Sequence, residues 1–279
     1  MSRSPLRLAR LTSEDEARLW ARLRADEPAN IFPIPDLEHF GWDSPLLSFH
    51  GIFREGELVG HLMRFGANAS LACDLPAAVP FVQAWLRRER VRYVNGVRRY
   101  VEPVLAAFGT DQVVRQEDSA LALLKRDSFR PYAADRSPGR VYRATSDDLD
   151  SATRAHTAAP DEFTQLDFEE RRATLRAVLT DGWRRLFVAQ APDGTVVAAA
   201  QTIAEGTELA VVGGVVTDPV YRGQGYATAC TAALCAELLD EGKRAYLFYS
   251  KGNVPAGRAY ASIGFEVIAD WVLAELRIA

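Results

Sequence analysis

The stretch Val215-Val216-Thr217-Asp218-Pro219-Val220-Tyr221-Arg222-Gly223-Gln224-Gly225-Tyr226-Ala227-Thr228 decides how the rest of the chain is read. Strand-forming residues pass through a glycine-rich turn directly into Ala227, Cys230, Leu234 and Leu238, which recur at three- and four-residue steps up to Gly242. That spacing predicts a helix ended by a glycine cap. A strand-to-helix junction of this kind points unpaired backbone N–H groups into one concavity, and the helix dipole adds partial positive charge there. Gly223 and Gly225 permit positive φ and leave no Cβ between backbone and ligand, so an anion can approach closely. Ala227 keeps the first helical turn small. The run is not a P-loop, because no Gly-Lys-Ser/Thr follows, and not a dinucleotide fingerprint, because Thr228 stands at the third glycine position. Taken alone, it reads equally well as a plain strand-to-helix turn.

Working outward, Asn253-Val254-Pro255-Ala256-Gly257-Arg258-Ala259-Tyr260-Ala261-Ser262-Ile263-Gly264-Phe265 predicts a second helix. Asn253 caps it, Pro255 suits its first turn, and Ala256, Tyr260 and Ile263 share one side. Ala245 to Ser250 reads as a strand, and Phe265 to Ile278 is rich in strand formers. Upstream, Glu208 to Thr217 is a strand in which the Gly213-Gly214 pair predicts a bulge or splay. Leu186 to Gln190 and Val196 to Ile203 flank Ala191-Pro192-Asp193-Gly194 as a hairpin. Before them come a strand at Val141 to Ala144, a Thr145-Ser146-Asp147-Asp148 cap into a helix, and a helix from Phe168 to Leu179.

The first half has a similar order. A capped helix runs from Thr12 to about Ala25, the stretch holding Pro28, Pro33 and Pro35 is a loop, and Leu47 to Phe53 and Leu58 to Phe65 form a hairpin. A short strand at Ala69 to Cys73, a helix from Ala77 to Arg90, a strand at Val91 to Val94, a helix from Arg98 to Phe108 and a strand at Ala120 to Lys125 follow. Arg130 to Gly139 is polar and breaker-rich, which places a boundary between residues 1–135 and 139–279. The matching order hints at duplication, although no period shows in the residues themselves.

A chain of 279 residues exceeds the typical ~100–150-residue domain. Its 48% apolar and 25% charged residues are the balance of a soluble globular protein. The net charge of −4 gives no pull toward nucleic acid, and runs such as Arg87-Arg88-Glu89-Arg90 read as solvated helix faces. Cys73, Cys230 and Cys235 form no Cys-x-x-Cys pair, so buried thiols in a reducing compartment are expected rather than disulfides or a metal site. Met1 to Arg10 has no apolar core of a leader, and no run of ~18 apolar residues spans a bilayer, so a cytoplasmic protein is expected.

Arg222-Gly223-Gln224-Gly225-Tyr226-Ala227 resembles the [Arg/Gln]-x-x-Gly-x-[Gly/Ala] signature of the GNAT superfamily of N-acetyltransferases. The run Asn253, Ala256, Tyr260, Gly264, Phe265 is similar to that superfamily's second motif. The resemblance covers roughly residues 139–279. With a long first half before it, the chain resembles two-lobed bacterial members and, more distantly, glycine N-acyltransferases. The implied fold is a mixed α/β one with two tandem GNAT-like lobes, the N-terminal one degenerate because Asp74-Leu75-Pro76 stands where a glycine turn would be.

What the resemblance implies is acetyl-CoA or another acyl-CoA as co-substrate, with no metal. Its pyrophosphate would rest on Gly223, Gln224, Gly225, Tyr226, Ala227 and Thr228, Arg222 adding charge. Its pantetheine arm would pair with Val215 and Thr217, and Asn253 belongs to the same site. A primary amine would attack the thioester directly, with the oxyanion on a backbone N–H near Val216 and Tyr260 protonating the leaving thiolate. Against that, Tyr260 reads as a core aromatic. The expected acceptor is a small-molecule amine, with a protein amine as the other option; the oligomeric state is open. The competing reading is a lobe that binds acyl-CoA without turning it over. No general base stands out: Glu208 starts the strand and Glu205 sits in the turn before it, yet both read as readily as solvated turn charges, and His156 lies where an acceptor could enter but reads as a surface histidine. Trp42, Phe32 and Trp85 read as core or interface aromatics.

Overall fold

The computed structural model describes residues 5–109, 111–132, 139–159 and 166–277. The expected linker from Arg130 to Gly139 falls partly, at 133–138, outside the described residues. Through the first half the order is β1 (Leu6–Arg10), α1 (Glu16–Ala25), α2 (Pro33–Phe40), β2 (Leu47–Arg54), β3 (Glu57–Phe65), β4 (Asn68–Ala72), α3 (Val79–Arg88), β5 (Tyr93–Val97), α4 (Arg98–Leu105) and β6 (Val113–Leu124). The second half repeats it: β7 (Arg140–Arg143), α5 (Leu149–Ala158), α6 (Phe168–Thr180), β8 (Leu186–Gln190), β9 (Val196–Glu205), β10 (Leu209–Thr217), α7 (Tyr226–Asp240), β11 (Arg244–Ser250), α8 (Val254–Ile263) and β12 (Glu266–Leu276).

The duplication extends to residues. Arg7, Arg10, Thr12, Ser13 and Asp15 recur at one constant offset as Arg140, Arg143, Thr145, Ser146 and Asp148. In both copies the threonine N–H donates to the aspartate carboxylate, at 3.2 Å in the first and 2.9 Å in the second. The same local chemistry therefore starts the first long helix of each half.

Three first-half expectations are corrected. The proline stretch is not all loop: Pro33–Phe40 is helical, because prolines at the start of a helix sacrifice no needed N–H, while Ile34 and Leu37 are buried. β5 begins later than expected, at Tyr93, because the Val91 N–H is spent on the Leu86 carbonyl at the end of α3. β6 begins earlier, at Val113; its first residues alternate half-buried and exposed with charged residues among them, so hydrophobicity does not mark them.

The chain forms two compact units, and they are not two successive intervals. One comprises Met1–Leu121, Phe248–Gly252 and Ile268–Ala279; the other comprises Ala122–Leu247 and Asn253–Val267. The first unit carries strands in the order β1-β2-β3-β4-β5-β12-β6. Most of the C-terminal strand thus serves the N-terminal core: β12 pairs antiparallel with β5 from Trp271↔Val97 to Glu275↔Tyr93, and Val272, Ala274 and Leu276 pack with Ile52, Trp85 and Val94. Trp85 is fully buried as expected, and Phe32 packs on Phe248 and Trp271 within the same unit.

The second unit carries the order β11-β10-β9-β8-β7. α5 and α6 cover one face through Leu149, Ala152, Ala155, Leu175 and Val178, which pack on Leu186, Val188, Ala199 and Val216. α7 packs on β8, β9 and β10 and buries Cys230 and Cys235, whose thiol pKa values are pushed up by burial. All three cysteines are free, Cys73 being only half-buried. Among the described residues no helix is long and apolar enough to cross a membrane.

Candidate functional site

β10 is the strand that opens the site. It pairs with β11 in parallel only over Leu209–Val211 opposite Arg244–Tyr246, yet continues to Thr217 against β9. Between Gly213↔Gln201 and Val216↔Ala199 the register slips, and Gly214 there has φ +55°, a left-handed value that a side chain resists. The predicted bulge is present. Below it, Val212–Thr217 pairs on one side only.

Hydrogen-bond alternation then says which N–H groups face the open side. The Asp218 N–H donates to Val197 O at 2.8 Å, so in an antiparallel ladder Val216, two residues earlier, also turns its N–H toward β9. Thr217, between them, turns its N–H outward, while Val215 lies inside the bulge.

Past β10 the chain makes a single 3-10 turn over Pro219–Tyr221, capped by Asp218, whose carboxylate accepts from Val220 N at 3.0 Å. Gly223 and Gly225 follow with φ +75° and +88°. Gly225 is the N-cap of α7 and supplies no side-chain cap; the first helical bond runs from Ala229 N to Gly225 O at 2.9 Å. The amides of Ala227 and Thr228 lie ahead of that bond, in the first turn, where an α-helix offers no intrahelical acceptor. A Cβ on Gly223 would meet nothing within 4 Å, whereas one on Gly225 would overlap the Tyr132 hydroxyl. The turn is thus open over Gly223 and flanked by Tyr132 at Gly225, a neighbour that the sequence did not suggest. Arg222 is exposed, and its Nε reaches back to Thr217 O at 3.4 Å.

α8 begins as predicted. Asn253 Oδ1 accepts from Ala256 N at 3.2 Å, and Gly264 closes the helix with its N–H on Tyr260 O at 3.2 Å. Tyr260 is 9% exposed and meets Phe265 edge to face at 6.0 Å. Tyr260, Asn253, Val215, Val216, Thr217 and Arg222 to Thr228 all belong to the second unit.

The remaining charged candidates fall differently. Glu205, expected as a solvated turn charge, is 2% exposed and bound to Arg185 and Lys243. Arg185 in turn holds Glu237 at 3.2 Å and Glu241 at 2.8 Å, and the Arg185 hydrogen bond is the largest cause that lowers Glu241 to about 2. Glu205 is structural because two cations already occupy it. Glu208 is exposed and pairs with Arg244 at 3.1 Å. His156, expected at the surface, is 3% exposed inside α5, and burial, with the Arg171 charge behind it, lowers its pKa to about 3. Histidine is polar enough that sequence favours a surface reading, yet it lies on the Leu149/Ala152 stripe. Among the described residues no group of three or more His, Cys, Asp and Glu is arranged to hold a metal.

Known proteins share this fold. The sequence model of the acetyltransferase (GNAT) family matches residues 149–265. Among solved structures, a GNAT-family acetyltransferase from Colwellia psychrerythraea is 16% identical with a TM-score of 0.57, over 97% of this chain and 100% of that one. A tandem GNAT protein from the clavulanic acid biosynthesis pathway is 14% identical with a TM-score of 0.60, over 97% and 98%. A GCN5-related N-acetyltransferase from Sphaerobacter thermophilus is 17% identical with a TM-score of 0.62, over 97% and 96%. At these identities the likeness is one of fold, and it extends through both halves. Among curated proteins none matches.

Proposed function

We propose, from the match of residues 149–265 to the acetyltransferase (GNAT) family model, that the second unit transfers an acetyl or other acyl group from acyl-CoA to a primary amine. The observation that carries the reading is the open, uncapped glycine turn at the start of α7, set directly after a strand whose outward N–H groups lack a ladder partner. Such a turn fits a diphosphate. Nothing stands within 4 Å of where a Cβ on Gly223 would project, and the α7 amides of Tyr226, Ala227 and Thr228 converge with the positive end of the helix dipole. Gln224 and Arg222 flank it, Arg222 adding exposed charge.

Acyl-CoA brings the thioester; the chain's part is to hold and polarise it. Thr217 offers an outward N–H along β10, suited with the backbone at Val215 to an amide-bearing arm, and the oxyanion that forms on attack would rest on a backbone N–H near Val216, beside the bulge. The left-handed Gly214 is what rotates the strand there. Asn253 keeps the start of α8 in place through its cap on Ala256, and Tyr260 supplies a phenol able to protonate a departing thiolate. The three free cysteines suit a reducing, cytoplasmic setting.

The test is a free-thiol assay with acetyl-CoA across a panel of amines, alongside calorimetry of acetyl-CoA binding. Tyr260→Phe should lose at least tenfold in kcat while binding acetyl-CoA within twofold of the parent. A chain that gives no heat with any CoA thioester contradicts the proposal. One that binds but never releases thiol is a binding module instead.

A further inference from the structure

Among the described residues of the second unit, two buried side-chain polar atoms have no hydrogen-bond partner: Gln201 Oε1 on β9 and His156 Nε2 on α5. Buried polar atoms are nearly always paired, because an unpaired one keeps the cost of leaving water and gains nothing back. Gln201 Oε1 and His156 Nε2 each call for a reason.

They share a layer. α5 packs across β9 and β10, and its Leu149, Ala152 and Ala155 join Ala199 of β9 and Val216 of β10 in one core. His156 continues the Leu149/Ala152 stripe at helical spacing, and Gln201, two residues past Ala199, lies on the same face of the sheet. Gln201 also reaches the bulge: a Cβ on Gly214 would fall 2.7 Å from its Nε2 and 2.9 Å from its Cδ. Gly214 immediately precedes Val215, so the carboxamide sits at the acyl end of the site and not at the glycine turn.

Both groups are uncharged. The His156 pKa near 3 keeps its ring neutral at ordinary pH, and Glu205, the unit's buried carboxylate, is committed to Arg185 and Lys243. An amine attacks only as the free base, so two neutral acceptors suit it better than a carboxylate, which would favour the ammonium.

Resting on the acyl-transfer reading, we propose that Gln201 and His156 receive the acceptor's amino group, Gln201 Oε1 and His156 Nε2 each accepting one N–H of a small, uncharged primary amine. For Nε2 to accept, the ring proton sits on Nδ1.

The test compares the full chain with Gln201→Met and His156→Leu by amine KM and kcat over a panel of small primary amines, acetyl-CoA Kd and thermal midpoint. Each variant should raise amine KM at least tenfold, leave acetyl-CoA Kd within twofold, and melt at or above the parent temperature, because an unpaired polar atom has been removed. A structural role predicts the opposite pattern, a lower melting temperature with amine KM unchanged, and that pattern overturns the inference. So does a parent chain that binds acetyl-CoA but accepts no small primary amine. A parent that binds no acetyl-CoA sinks the underlying reading instead.

Discussion

Replacing Gly225 by alanine separates backbone strain from steric exclusion in the glycine turn, with Gly223→Ala as its control. Both glycines have positive φ, +75° at Gly223 and +88° at Gly225, which costs an alanine ~1–2 kcal/mol. At Gly223 nothing more is lost, since the new methyl meets nothing within 4 Å. At Gly225 the methyl overlaps the Tyr132 hydroxyl, and forcing an atom into an occupied site adds ~1–3 kcal/mol. Gly225→Ala should therefore destabilise by roughly 2–5 kcal/mol in urea titrations, against ~1–2 for Gly223→Ala. Tyr132→Ala in the Gly225→Ala background should recover the steric part, giving a coupling of ~1–3 kcal/mol in a double-mutant cycle. Acetyl-CoA affinity should rank the other way relative to stability. Gly223→Ala places its methyl in the open mouth of the turn and should weaken binding at least tenfold while barely disturbing the fold. Equal destabilisation at the two positions, or zero coupling to Tyr132, would refute the packing argument; unchanged acetyl-CoA affinity in Gly223→Ala would refute the cradle.

Stability should fall in mild acid. Burial lowers His50 to about 4 and His61 and His156 to about 3, all below the unfolded value near 6.5. The unfolded chain thus binds more protons below pH 6.5, and stability that is complete above that value is lost as pH falls toward the folded values, at up to ~1.4 kcal/mol per pH unit for each group. Urea midpoints at pH 7.5 and 5.0 check this, and His156→Leu should make the dependence shallower. Glu205→Gln should cost about 2–3 kcal/mol, below the ~3–5 expected for an isolated buried pair, because Arg185 keeps Glu237 and Glu241. An unchanged urea midpoint would contradict it. Fragments 1–135 and 139–279 should not fold as separate monomers, because the first lacks β12 and the second carries β12 without its β5 partner. Circular dichroism and size exclusion of each fragment decide it.

The parts of the site legible in the sequence are those set by local chemistry. Gly225 bounds α7 at its start and Gly264 bounds α8 at its end, both with left-handed φ, and Asn253 caps the start of α8, so the turn, α7 and α8 could be read from spacing alone. What could not be read depends on partners distant in sequence. The direction of the Val216 and Thr217 amides follows from the phase of the ladder with β9, which the bulge interrupts at Gly214 and Val215 without changing composition. His156 is buried by the elements packed on α5, not by its own helix. β12 reads as a strand, but nothing in its residues says that it will complete the N-terminal core. The recurrence of Arg7 to Asp15 in Arg140 to Asp148 was visible in principle; it is short and polar, and a search for apolar periodicity passes over it.

On the acyl-transfer reading, the comparison between the halves assigns the proposed anion site to a few residues. Asn68–Ser70 of β4 pairs in parallel with β5 just as Leu209–Val211 of β10 pairs with β11. From that shared point the copies diverge. β4 stops at Ala72 and enters Asp74-Leu75-Pro76, where a carboxylate opposes any anion and Pro76 offers no N–H. β10 instead runs on to Thr217, bulges at Gly214 and meets two left-handed glycines before its helix. The order of elements is the same, so the fold alone does not create an anion site. The lengthened strand exposes unpaired amides and the glycines clear the approach to them, and only the second unit has both.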